Sequence, residues 1–283
     1  MPEKVAVITG ASDGIGKQAA MALSAAGWHV ALIGRNPQRT RALGQALGMP
    51  CYIADFSNLQ EVAALADRLK TDCPRIDVLL NNAGGMFPRG EKTRDGHETT
   101  FQVNHLAHFL LTRLLMGRLL ESQASVINTS SIAHRLLGFL YRPGKPEDSF
   151  LGSTHLAYGN AKLANILFTR ELHRRFQRHG LKAAAVHPGV VATSFSRNTL
   201  SPMRLLYGSV LAHLPAIKSS AQGAMALVRL AKGTPGKDWV PGAYYSGFRQ
   251  ATPSRKARDP AAARLLWEQS ERSLENYLQH LDQ

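Results

Sequence analysis

Short apolar runs rich in β-branched residues alternate with longer stretches of helical period along nearly the whole of the 283-residue chain. Strands of that kind are buried on both faces, and parallel neighbours need a crossover between them, so the alternation predicts an α/β fold. Strands are expected near Val5–Ile8, His29–Ile33, Cys51–Ala54, Ile76–Leu80, Ser125–Asn128, Ala183–Val186 and Ala243–Tyr245. Helices are expected over Ile15–Ala26, Thr40–Leu47, Leu59–Lys70, Thr99–Leu120 and Ala157–Arg178, with Gly27 ending the first. Right-handed crossovers in this order give a doubly wound parallel sheet of about seven strands with helices on both faces. Ligands of such a sheet lie over the strands' carboxyl ends. No linker interrupts the pattern, so residues 1–283 are expected to form a single domain, with 259–283 as a helical extension whose Pro260 suits a first turn.

At the first of those carboxyl ends the chain reads Thr9-Gly10-Ala11-Ser12-Asp13-Gly14-Ile15-Gly16 and then turns helical. Glycines there allow a tight turn, close approach of backbone to a pyrophosphate, and close packing of helix on strand, while the helix amino terminus favours an anion. Gly10, Ser12, Asp13, Gly14, Ile15 and Gly16 are therefore expected to hold a dinucleotide, and the fold is expected to be of the Rossmann type. The second strand ends in Gly34-Arg35-Asn36, without the carboxylate that accepts both ribose hydroxyls of NAD. Arg35 can instead meet an adenosine 2′-phosphate, with Asn36 beside it and Arg39 or Arg41 adding positive potential. NADP(H) is accordingly expected in preference to NAD(H). Asp13 argues mildly the other way, since its charge repels a nearby phosphate.

Composition removes competing classes. The formal charge of +14 invites nucleic-acid binding, but Lys and Arg are scattered over many helices. The densest group, Arg255, Lys256 and Arg258, has no interleaved aromatics, so no nucleic-acid partner is expected. Cys51 and Cys73 lack metal-ligand spacing, and no metal is expected. An apolar strand begins almost at the amino terminus and no window approaches a membrane span, which predicts a cytoplasmic protein without integral membrane association.

Further along stand Asn81-Asn82-Ala83-Gly84, Asn104, Ser130-Ser131 and Tyr158-Gly159-Asn160-Ala161-Lys162. With the Gly-rich turn, these motifs in this order resemble the short-chain dehydrogenase/reductases. LAYGNAKLANILFTRELHRR, HPGVVATSF and ARDPAAARLLWEQSERS are similar to the retinol-dehydrogenase-like branch, over essentially the whole chain. The resemblance implies an oxidoreductase that moves a hydride between NADP(H) and an alcohol or carbonyl substrate. A catalytically silent cofactor-binding sensor on the same fold is the alternative.

Residue chemistry runs the same way. Tyr158 and Lys162, four residues apart, share one helix face, so the ammonium and the positive nicotinamide would lower the phenol's pKa and let Tyr158 act as acid or base. By resemblance Lys162 also binds the nicotinamide ribose, Asn104 holds a proton-relaying water, Asn82, Ala83 and Gly84 line the adenosine and ribose, and Asp55 and Phe56 flank the adenine. Ser131 is expected to anchor the substrate oxygen, because the family's serine is usually the second of such a pair; Ser130 is then structural. Pro188 ends the sixth strand, which frees the backbone of Gly189, Val190 and Val191 to meet the carboxamide, with Thr193 adding a hydroxyl. The segment 194–219, with Leu200, Met203, Leu205, Leu206 and Tyr207, is expected either as a lid over a lipophilic substrate or as a packed helix. Leu106, Phe109 and Leu110 on the long helix suggest a homo-oligomer paired through these helices.

Overall fold

The computed structural model describes residues 3–136, 153–191 and 217–279. Seven parallel strands appear in the expected places: β1 (Val5–Thr9), β2 (His29–Gly34), β3 (Cys51–Ile53), β4 (Val78–Asn81), β5 (Ser125–Thr129), β6 (Lys182–His187) and, after a short separate pair, β9 (Tyr244–Ser246). The pair is β7 (Val190–Val191) with β8 (Ile217–Lys218), in parallel register. A further strand, β10 (Arg249–Ala251), runs antiparallel to β9 through a two-residue turn in which Gly247 has φ of +59°. The main sheet therefore has eight strands, in the order β10-β9-β6-β5-β4-β1-β2-β3. Its crossovers change direction between β1 and β4, which opens the carboxyl-edge crevice where such sheets take ligands.

Alternate side chains along each strand feed two cores. Val7, Ala31 and Leu79 face one side, covered by α3 (Leu59–Asp72), α5 (Ala107–Leu114) and α8 (Thr154–Phe176). Ala6, Ile8, Val30 and Leu32 face the other, covered by α1 (Gly14–Ala25), α2 (Pro37–Leu47) and α9 (Ser220–Lys232). Gly27 follows α1 at φ +79° and donates to Ser24, as a carboxyl cap does. α9, which is not among the expected helices, buries Gly223, Ala224, Ala226, Leu227, Val228, Leu230 and Ala231. Its sequence signal is the capping box, in which Ser219 accepts from Gln222 N and the Gln222 side chain returns to Ser219 N.

The helix expected over Thr99–Leu120 is not continuous. It begins as α4 (Thr99–Phe101), widens into a π-helical stretch over Gln102–Leu106, continues as α5 and restarts as α6 (Met116–Glu121). The widening sits where Asn104 is fully buried and its amide is pulled away from the helix to Gly85, while also donating to Thr100 O at 2.8 Å. The expected tail helix likewise divides at Leu274 into α10 (Pro260–Ser273), capped by Asp259 with Pro260 at its start, and α11 (Glu275–Leu278). α10 lies along α8, where Trp267 meets Phe168 at 5.9 Å, and Trp267 also meets Phe109 of α5 edge-on at 4.9 Å. No helix among the described residues is long and apolar enough to cross a membrane.

Two histidines of the widened helix are held neutral in the core. Burial pushes both His105 and His108 down to about 3. The unfolded chain therefore binds more protons than the folded one between roughly pH 6.5 and 3, and stability falls as pH drops through that window. From pH 7 to 5 the loss is roughly 2 kcal/mol for each histidine. Thermal unfolding at the two pH values should register the loss, and His105→Leu should reduce it by roughly 2 kcal/mol; an undiminished drop in that variant would refute the account.

Candidate active site

The Gly-rich turn leaves β1 with Gly10 at φ +67° and enters α1 through Gly14 at φ +54°. A Cβ on Gly10 would come within 2.9 Å of Ala83 Cα, and one on Gly16 would collide with the Gly10 carbonyl, so only glycine lets turn, helix and the segment after β4 pack backbone to backbone. Asp13 caps α1 by accepting from Gly14 N at 2.7 Å. Its other oxygen meets Arg39 Nη1 at 3.1 Å, so the carboxylate that would oppose a phosphate carries its own counter-charge. Ser12 and Ile15, half-buried, complete the turn.

Arg35 is exposed at the end of β2. Asn36, also exposed, caps α2 by accepting from Arg39 N at 2.9 Å through its Oδ1. Asp55 accepts from the backbone and hydroxyl of Ser57. Phe56, by contrast with a role against an adenine, puts its ring into the core, edge-on to His108 at 5.0 Å.

Toward the middle of the crevice, Thr9 organises the turn after β4. Its hydroxyl oxygen accepts from Asn82 N at 2.8 Å and Ala83 N at 2.9 Å, and the Asn82 amide donates to Thr9 O at 3.0 Å. His108 Nδ1 faces Asn104 O at 3.2 Å and so carries the proton, which leaves Nε2 to accept from the Thr9 hydroxyl at 3.0 Å. A Cβ on Gly84 would collide with Asn104 Oδ1 and lie 3.2 Å from Lys162 Nζ. Asn104, Gly84 and Lys162 are thereby brought together.

Lys162 lies on α8, its ammonium 5.4 Å from the Tyr158 ring centroid. It is 3% exposed, donates to Thr129 O at 3.3 Å, and pairs with no carboxylate among the described residues. Burial pushes it down to about 7. Ser130 is buried, donating from its hydroxyl to Lys162 O at 2.7 Å and from its N–H to Val186 O at 2.8 Å. Ser131, half-buried, accepts at its hydroxyl oxygen from Ala133 N at 3.2 Å, a bond that occupies a lone pair and not the hydroxyl proton. Across the edge, Gly189 after Pro188 has φ of +104° and packs on Lys218, while Val190 and Val191 form β7. Thr193 and most of the expected lid lie outside the described residues.

A family model described as short chain dehydrogenase matches residues 4–143. A Streptomyces sp. (strain C5) protein assigned as the daunorubicin C-13 ketoreductase DnrU is 38% identical over 282 residues, spanning 95% of this chain and 92% of the relative. Retinol dehydrogenase 12 of Mus musculus is 38% identical over 277 residues, spanning 94% and 85%. The chain belongs to the short-chain dehydrogenase/reductase family. Within it, the relatives put the chain in the retinol-dehydrogenase-like branch, and a crystal structure of an uncharacterized protein from Mycobacterium paratuberculosis matches its fold with a TM-score of 0.75 at 28% identity, covering 96% of this chain and 93% of the other.

As a short-chain dehydrogenase/reductase, the protein is a hydride-transferring oxidoreductase with a nicotinamide cofactor. The residues fit that group: positive-φ glycines open a helix amino terminus, and a buried ammonium faces the same crevice. What sequence reading of this short-chain dehydrogenase/reductase passes over is the supporting layer. Thr9 and His108 fix the turn after β4, and Asn81, Asn128, Thr112 and Thr169 form a buried hydrogen-bonded chain behind it. The nearest sequence signal is polarity in otherwise apolar elements, since a buried Asn in a strand must find partners.

Proposed function

We propose that this protein reduces the carbonyl of a lipophilic aldehyde or ketone with NADPH, and runs the reverse oxidation with NADP+. The observation that carries the reading is the buried Lys162 ammonium 5.4 Å from the Tyr158 ring, with no carboxylate partner among the described residues. A cation in that position favours negative charge on the phenol oxygen, which is what an acid that gives up its proton in the transition state requires. Ser131 donates its hydroxyl proton to the substrate oxygen and holds it for Tyr158. Asn104, clamped to Gly85, keeps the space beside Lys162 open for a water that relays the proton. Asn82, Ala83 and Gly84 border the cofactor's adenosine and ribose, Asp55 borders its adenine, and the turn from Pro188 through Val191, with Thr193, meets the carboxamide. When bound, the nicotinamide supplies or accepts the hydride.

The preference for NADP(H) rests on Arg35 after β2, a strand that ends without a carboxylate of its own to accept the ribose hydroxyls, with Arg39 of α2 beside it holding the Asp13 carboxylate. Lipophilic substrates are favoured because relatives are named for retinol and for the C-13 ketone of daunorubicin. Titration of nicotinamide fluorescence should give tighter NADPH than NADH binding, and Arg35→Ala should weaken NADPH by roughly 10-fold while changing NADH little, as loss of a charge-assisted contact would. Equal or tighter NADH binding overturns the cofactor preference. Turnover of at least one of retinaldehyde, daunorubicin and decanal is expected with NADPH; tight NADPH binding with no turnover of any of the three would favour a cofactor-binding sensor instead.

A further inference from the structure

His134 lies on the short helix α7 (Ala133–Leu136), directly after Ser131, and is 1% exposed. Its Nδ1 is 2.6 Å from Ser131 O, and its Nε2 is 3.2 Å from Ser254 N. A carbonyl can only accept and a backbone N–H can only donate, so these two bonds fix a neutral imidazole with its proton on Nδ1. Burial, the largest effect, pushes the imidazole in the same direction; the Ser131 bond opposes it, and the like charge of Arg135 adds a smaller push the same way as burial. The Tyr244 ring of β9 closes edge-on at 5.0 Å. Arg135, the next residue, hydrogen-bonds Thr252 O. The segment that carries Ser131 is thus strapped by two successive side chains to residues 252–254, which lead into α10.

We propose that His134 is a positioning residue for Ser131, setting the direction of its hydroxyl by holding the Ser131 carbonyl against the 252–254 segment. The inference rests on the reading of Ser131 as the group that anchors the substrate oxygen. Its chemistry is geometric: the serine's peptide cannot rotate without breaking a 2.6 Å bond to a side chain that is itself held at its far nitrogen. A hydroxyl displaced by about 1 Å loses alignment with the reacting oxygen at a cost that reaches about 100-fold in rate.

Three substitutions separate the two bonds. Asn places an amide N–H near the Nδ1 position and can keep the Ser131 bond; Gln reaches the Nε2 position and can keep only the Ser254 bond; Phe keeps neither. With saturating NADPH and the best substrate among retinaldehyde, daunorubicin and decanal, His134→Phe and His134→Gln should lower kcat by roughly 10- to 30-fold with NADPH affinity unchanged. His134→Asn should stay within about threefold of wild type. In a Ser131→Ala background, His134→Phe should add little, because its effect passes through the serine. Independently of turnover, hydrogen exchange over residues 130–136 in the NADPH-bound protein should rise in the Phe variant and not in the Asn variant. Equal kcat for the Asn and Phe variants, or additive losses in the double variant, overturn the proposal. Full activity of Ser131→Ala alone would instead overturn the reading of Ser131 on which it stands.

Discussion

Tyr158→Phe should lower kcat for carbonyl reduction by about 1,000-fold while leaving NADPH affinity within about threefold, because the substitution removes one proton donor and keeps the ring. The ring is the part that faces the Lys162 ammonium at 5.4 Å, so the packing of α8 survives. Reduction in the wild type needs the phenol protonated and oxidation needs it ionised. The reductive rate should therefore fall, and the oxidative rate rise, as pH increases through the apparent pKa of the Tyr158 and Lys162 pair. Single-turnover measurements at several pH values separate this from substrate binding. Near-normal turnover by the Phe variant would remove Tyr158 from the chemistry and leave the crevice without its acid.

Trp267→Ala should destabilise the protein by about 3–5 kcal/mol, or a melting temperature lower by roughly 10 °C. Trp267 is 1% exposed and packs against Phe109, Phe168 and Phe176, with the Arg175 and Arg113 guanidinium groups over its ring at 4.7 and 5.4 Å. Arg113 also pairs with Glu271 one turn further along α10. The indole N–H is buried without a partner among the described residues, so Trp267→Phe gives up area but relieves an unmet donor and should cost less than about 1 kcal/mol. Equal losses for Ala and Phe, measured by denaturant or heat, would mean that the indole's polar edge rather than its bulk holds α10 in place.

How much of this was legible in the sequence depends on the length scale of the signal. Val5–Ile8 announces itself because a strand buried on both faces is apolar throughout, and the glycines at 10, 14 and 16 because their positive φ or their contacts exclude a side chain. The edge strand Arg249–Ala251 does not, since its three residues are exposed or half-buried and carry no apolar run. The widening of the helix after Phe101 is equally hidden: it accompanies Asn104 reaching to Gly85, a contact between elements that local propensity does not encode. At the site, the spacing of Tyr158 and Lys162 draws notice only together with the glycine, asparagine and serine motifs upstream. The burial of the lysine, the capping duty of Asn36 and the inward ring of Phe56 depend on three-dimensional packing.

The covering of α8 by α10 has a consequence for where the site gets its rigidity. Leu106, Phe109 and Leu110, the apolar residues that in the sequence suggest a subunit contact, are fully buried by the chain's own elements. The helix that presents Tyr158 and Lys162 is therefore braced by residues of the same polypeptide, so a substitution in α10 reaches the site through one continuous stack of side chains.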